Sequence, residues 1–175
     1  MKCGQAYVDG GSRGNPGVAG YGVLLLDEDG QVLASVSEGI GIGTNNVAEY
    51  SALLAALRLA QSHGIRALQV LADSELLVKQ IQGLYQVRHP GLKPLFQQAQ
   101  SLIRDLDSFS ITHIPREQNR EADRLANLAM DRSKGVPQKT SLRRVRAVFQ
   151  NGVFRPEDPL DLPENTRCFL EVILP

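Results

Sequence analysis

Four carboxylates in this 175-residue chain stand where segments of regular structure begin or end. Asp9 closes Gln5–Asp9, a short run that reads as a strand, and is followed by Gly10-Gly11. Glu49 lies in the first turn of an Ala/Leu-rich segment with helical spacing, Asp73 follows directly on the apolar run Ala67–Ala72, and Asp123 sits near the start of the last helical segment. Each has an ordinary structural reading when taken alone. Asn46 to Glu49 fits a capping box, Asp73 before Ser74-Glu75 suits an N-cap, Asp9 suits a turn, and Asp123 flanks an apolar helix face as a surface residue would. Together they say more. If Asp9 and Asp73 end neighbouring strands and both helices start near that edge, the four converge where open α/β sheets place their sites. Four negative charges so close in a partly desolvated site repel strongly. Divalent cations are the natural remedy, and a pair about 3.5–4 Å apart is the arrangement of two-metal phosphodiester hydrolysis.

The elements that must position these acids follow from periodicity and breakers. Gln5–Asp9 reads as a strand, the Gly/Pro/Asn-rich Gly10–Gly17 as a turn, Val18–Leu26 as a strand, Asp29-Gly30 as a hairpin turn and Gln31–Ile40 as the returning strand. Asn46–Ser62 is a helix by the spacing of Ala48, Ala52, Leu53, Ala56, Leu59 and Ala60, with Gly64 to stop it. Ala67–Ala72 is a buried strand, Ser74–Gln82 a helix ending at Gly83, Leu92–Leu106 a helix and Ser108–Ile114 a strand. Asn119–Arg132 is a last helix with Ala122, Leu125, Ala126 and Ala129 on one face. The order predicts an α/β fold with a mixed sheet: an antiparallel meander first, then crossovers.

A break follows. The predicted catalytic domain is 1–133 and the linker 134–142, around Lys134-Gly135-Val136-Pro137. Residues 143–175 form a small β module: Val145–Phe149 and Val153–Phe154 flank Asn151-Gly152, and Arg167–Leu174 is a further strand. So short a unit buries little core alone, so intramolecular docking or homodimer formation through it is expected.

Composition narrows the class. Hydrophobic residues are 42% and charged residues 22% of the chain, ordinary for a soluble globular protein. No stretch approaches the roughly 20 apolar residues of a membrane span, and the N-terminus carries no apolar signal-peptide core. A cytoplasmic protein without a membrane partner is expected. Cys3 and Cys168, at opposite ends, and His63, His89 and His113, scattered, build no zinc site; two thiols in a reducing compartment fit better. Net charge is zero, but Arg132 to Arg146 holds six Lys/Arg and no acid. That run is either a solvated linker or a phosphate-contacting patch.

Four blocks, in this order, resemble ribonuclease H type 1: Tyr7-Val8-Asp9-Gly10-Gly11-Ser12-Arg13-Gly14-Asn15-Pro16-Gly17, Thr44-Asn45-Asn46-Val47-Ala48-Glu49-Tyr50, Asp73-Ser74-Glu75-Leu76, and Pro115-Arg116-Glu117-Gln118-Asn119-Arg120-Glu121-Ala122-Asp123. The family fold is a five-stranded mixed sheet with flanking helices, in agreement with the elements above. The resemblance implies an endonuclease that hydrolyses the RNA strand of RNA–DNA hybrids, leaving 5′-phosphate and 3′-hydroxyl ends. It implies that Asp9, Glu49, Asp73 and Asp123 hold two Mg²⁺ or Mn²⁺ ions, with Asp9 bridging, one ion serving the attacking water and the other the leaving 3′-oxygen. Gly10, Gly11, Asn15, Asn45 and Asn46 match positions that read the RNA minor groove, where the 2′-hydroxyl distinguishes RNA from DNA. Thr44 matches a phosphate contact on the DNA strand.

The chain departs from many relatives in three ways. The loop Pro115–Ala122 lacks a His, so that Arg116 or Glu117 stands in its place; an Arg would act by charge, since it is no general acid near neutrality. His113, inside a strand, reads as structural or half-buried. The basic, Trp-containing protrusion is missing: the chain has no Trp, and Gly83–Pro94 passes almost directly into a helix. Hybrid affinity is then left to Arg88, Lys93 and the basic stretch. The tail is additional, and its Ala147-Val148-Phe149-Gln150-Asn151-Gly152-Val153-Phe154 block resembles a small β family described as antitoxin-like. Two other readings stay open: a DNA-acting nuclease of the same superfamily, against which the Asn45-Asn46 pair argues, and a non-catalytic hybrid-binding or antitoxin-like interaction protein, against which the four carboxylates argue.

Overall fold

The computed structural model describes residues 2–133, 147–150 and 153–156. The chain divides into two units, Met1–Gln138 and Lys139–Pro175. In the first, β1 (Cys3–Gly14), β2 (Gly17–Asp27) and β3 (Val32–Gly43) form an antiparallel meander. Then come α1 (Asn45–Ser62), β4 (Ala67–Ala72), α2 (Glu75–Ile81), α3 (Lys93–Arg104), β5 (Ser108–His113), a single 3-10 turn (Arg116–Gln118) and α4 (Arg120–Ser133). The sheet order is β3-β2-β1-β4-β5, with β4 parallel to both β1 and β5. This is the expected five-stranded mixed sheet flanked by helices.

The helices are seated by glycines. A Cβ built on Gly10 would overlap the backbone of Ala48 and Glu49 at the start of α1. Gly11, its neighbour on the opposite face of β1, looks instead at Met130 of α4. Gly20 and Gly22 of β2 likewise leave room for the α4 backbone. So α1 covers one face of the sheet and α4 the other, each pressed close. The α4 stripe of Ala122, Leu125, Ala126, Ala129 and Met130 has the spacing of one helix face and is buried. Its small alanines meet the glycines of β2, which is why sheet and helix backbones approach so far. On the α1 side, Leu53, Leu57, Ala56 and Ala60 pack with Ala6, Val8, Val23, Leu25 and Val70 in the main core.

Gly10–Gly17 does not form the expected turn. β1 runs on to Gly14, in register with β2 from Gly4↔Asp27 to Gly14↔Gly17, so the reversal is confined to Asn15-Pro16. Gly10 serves close approach of a helix backbone to the strand, whereas Gly14, at a φ of +97°, and Gly17 serve the reversal, and composition alone does not separate the two uses. Asp9 therefore lies within β1. It does mark one boundary: the β1–β4 pairing ends at Val8↔Ala72. Gly64 and Gly83 end α1 and α2 with φ of +69° and +78°, a backbone that favours glycine.

In the second unit, β6 (Ala147–Gln150) and β7 (Val153–Pro156) pair antiparallel, with Gln150 opposite Val153. The expected linker 134–142, the Asn151-Gly152 turn and the Arg167–Leu174 strand lie outside the described residues. Among the described residues no helix is long and apolar enough to cross a membrane.

Candidate active site

The parallel register Val8↔Ala72 puts the next residues of the two strands, Asp9 and Asp73, at the same level where β1 and β4 part. Glu49 arrives from α1, held close by the bare Gly10 beneath it. One ligand oxygen from each of Asp9, Glu49 and Asp73 lies within 4.8 Å of the others. Asp123, on the first turn of α4, faces the same open cavity of about 370 Å³, which Gly10, Gly11, Asn45 and Arg116 also line.

The ordinary readings of two of these acids fail on local geometry. Thr44 is the N-cap of α1, its Oγ1 accepting from the Val47 N–H at 3.3 Å, so Glu49 belongs to no capping box. Ser74, rather than Asp73, caps α2, accepting from the Leu77 N–H at 3.4 Å. Both carboxylates are thereby left to the cavity.

The cluster is electrostatically frustrated. Two unit charges at such a separation repel by roughly 3 kcal/mol at an effective dielectric of about 20. Burial, then the Asp73 and Asp123 charges, push the Asp9 carboxyl from 3.8 up to about 7, with Arg116 partly opposing. Burial, then the Asp9 and Asp73 charges, hold Glu49 well above the usual carboxylate range. Glu49 Oε2 is buried with no hydrogen-bond partner. Converging hard oxygen donors, one of them orphaned and two with their charged forms disfavoured by burial and mutual repulsion, fit a divalent cation that would relieve that repulsion.

Arg116 Nη2 donates to Asp123 Oδ1 at 2.5 Å, and Asn127 Nδ2 donates to Asp123 Oδ2 at 3.1 Å. Asp123 thus lines the cavity paired with a guanidinium, outside the trio whose ligand oxygens lie within 4.8 Å of one another. Asn15 Oδ1 accepts from the Asn45 N–H at 3.3 Å, tying the β1–β2 reversal to the start of α1. Asn46 lines an adjoining cleft with Glu49, Ser74 and Leu76. His113 is exposed at the end of the edge strand β5, not half-buried, because only Ile111 of that strand is buried.

Several cavity residues went unremarked in the sequence. Arg13, Asn127 and Met130 line it, with Arg13 paired to Asp131 at 2.7 Å. Asn127 could have been found from its spacing of one helical turn after Asp123. Asn119, 1% exposed, donates from Nδ2 to Val8 O at 2.8 Å and to Asp73 Oδ1 at 2.9 Å.

The family described as Reverse transcriptase-like matches residues 7–129. Ribonuclease HI from Halobacterium salinarum is 44% identical over 127 residues, 73% of this chain and 64% of that protein. The N-terminal RNase H domain of Rv2228c from Mycobacterium tuberculosis, solved as a fusion with maltose binding protein, is 46% identical with a TM-score of 0.72; the match covers 74% of this chain and 99% of that one. The chain belongs to the ribonuclease H family. LC11-RNase H1, solved in complex with an RNA/DNA hybrid, is 43% identical with a TM-score of 0.72, over 75% of this chain and 99% of that chain. The full-length Rv2228c protein is matched over only 34% of its length, so the chain spans less than two thirds of these first curated relatives. A second family, AF2212-like, matches residues 143–174. The ribonuclease H family is divalent-metal dependent, and an acidic cluster to hold such ions is in place here.

Proposed function

We propose that the chain is an endoribonuclease that hydrolyses the RNA strand of RNA–DNA hybrids, leaving 5′-phosphate and 3′-hydroxyl ends. The observation that carries this is the convergence of Asp9, Glu49 and Asp73 within 4.8 Å, with Asp123 facing the same cavity. Ribonuclease H relatives, one of them solved with an RNA/DNA hybrid, support the substrate. Asp9, Glu49, Asp73 and Asp123 would hold two Mg²⁺ or Mn²⁺ ions, which supply activation of the attacking water and stabilisation of the leaving oxygen. Gly10, Gly11, Asn15, Asn45 and Asn46 recognise the RNA strand through its 2′-hydroxyls, as bare backbone and amide side chains can, and Thr44 contacts a phosphate of the DNA strand. Arg116 acts by charge: its hydrogen bond to Asp123 pushes its pKa further up, so it supplies no proton. We place this enzyme over 1–133, in a cytoplasmic setting, with the 143–175 module after the 134–142 linker serving docking or homodimer formation.

The test is a panel of labelled substrates in Mg²⁺ and in Mn²⁺: RNA–DNA hybrid, single-stranded RNA, duplex DNA and duplex RNA. The expected result is cutting of the hybrid's RNA strand alone, with product ends that a 3′-hydroxyl-dependent polymerase extends. Cutting of duplex DNA in preference would move the chain to a DNA-acting branch of the superfamily. No cutting of any substrate by folded protein would leave a binding module.

A further inference from the structure

Asn119 is a buried polar residue that the reaction does not itself use. It joins the 3-10 turn to α4, is 1% exposed, and its Nδ2 serves two acceptors, the Val8 carbonyl and Asp73 Oδ1. Its Oδ1 is buried without a partner. An apolar side chain of similar volume would remove that orphan, but it would take a donor from both the buried Val8 carbonyl and Asp73 Oδ1. What an amide offers is two N–H bonds in fixed directions. One of them grips the residue at which β1 and β4 stop pairing. The other grips a carboxylate of the cluster. The backbone carbonyl of the same residue accepts the Asp123 N–H at 3.0 Å, so Asn119 also holds the turn of α4 that carries Asp123.

We propose that Asn119 is a positioning residue that locks the rotation of the Asp73 carboxylate and so presents its oxygens to the divalent cation. A carboxylate torsion is soft and roughly two-fold, and one fixed donor removes that freedom. A Lys or Arg would hold the oxygen as firmly but would bring a positive charge beside the cation site. A neutral donor orients the ligand while leaving the negative charge intact, as the partners behind metal ligands commonly do. This inference rests on the cavity being a cation-dependent site, and it extends to no other group.

Two full-chain variants and the parent test it. Asn119→Leu fills the volume with no donor; Asn119→Asp keeps the shape, faces Asp73 and Val8 with acceptors, and adds negative charge. Calorimetric Mn²⁺ affinity is expected to fall by on the order of tenfold or more in both. On the hybrid, kcat falls while KM stays near the parental value. A general weakening of the fold lowers the melting temperature without this split. If only charge mattered, Asn119→Asp would bind Mn²⁺ more tightly. Folded variants with parental affinity and kcat overturn the proposal. In the parent, with no substitution to destabilise it, both Asn119 side-chain amide proton resonances are expected to shift on Mg²⁺ titration, and unmoved resonances would count equally against it. Affinity and resonance shifts are read without substrate. A parent that binds Mn²⁺ but cuts nothing therefore defeats the nuclease reading alone, whereas an active parent with parental variants defeats this proposal alone.

Discussion

An Asp9→Asn protein is expected to cleave hybrid more slowly by on the order of a thousandfold or more, and yet, free of metal at mildly alkaline pH, to melt at a higher temperature than its parent. Both effects have one cause. Asp9 is buried among Asp73, Asp123 and Glu49, and that surrounding raises its carboxyl from 3.8 to about 7. The folded protein therefore keeps a proton there that the unfolded chain releases near its ordinary value. Metal-free stability falls as pH climbs through that window and is lowest above about 7. An amide never ionises, so the variant escapes the loss. The gain is on the order of 2–4 kcal/mol above the window and vanishes below it. For the parent the same linkage makes divalent-cation affinity weaken as pH falls through about 7, because a proton competes for the ligand oxygen. Melting curves and calorimetry across the pH range check both signs. An Asp9→Asn protein less stable than its parent at mildly alkaline pH would mean that the cluster is not frustrated.

The second large effect lies in the glycines. Gly10→Ala and Gly22→Ala are expected to destabilise by about 3 kcal/mol or more, or to prevent folding. A Cβ at Gly10 would lie under 3.0 Å from the backbone of Ala48 and Glu49, and one at Gly22 equally close to Ala122 O. These obstacles are backbone, so only a shift of a whole helix relieves them. Gly11→Ala is the contrast: its Cβ would meet the Met130 Cε at 3.1 Å, the end of a flexible side chain, and it should cost little. Denaturant midpoints of the three variants decide. Gly10→Ala also pushes on Glu49 directly, so any folded fraction should bind cation poorly.

These glycines show where a sequence is legible and where it is not. Periodicity places the four carboxylates near the ends of segments, but each alone has an ordinary reading; the resemblance of four blocks to ribonuclease H type 1 is what joins them into one site, and Asp9 proves to lie within β1. The five-stranded mixed sheet follows from the same periodicity. The run from Gly10 to Gly17 reads as a turn yet is mostly strand, because glycine marks both turns and close backbone approach, and only the partner helix tells which. The helix caps at Thr44 and Ser74 were displaced by the more acidic Glu49 and Asp73, which satisfy cap patterns equally well on paper. Asn119 was hidden for a different reason. Its acceptors, Val8 and Asp73, are 111 and 46 residues away, and no local pattern encodes such a bond.

The most direct measurement is cleavage of a labelled RNA–DNA hybrid in Mg²⁺ by the parent and by Asp73→Asn, each with and without EDTA. The parent is expected to cut the RNA strand, to lose that activity in EDTA and to regain it on adding excess Mg²⁺, with a folded Asp73→Asn protein inactive throughout. Cutting that survives EDTA, or a folded Asp73→Asn protein as active as the parent, would contradict the claim that this carboxylate cavity is the catalytic site.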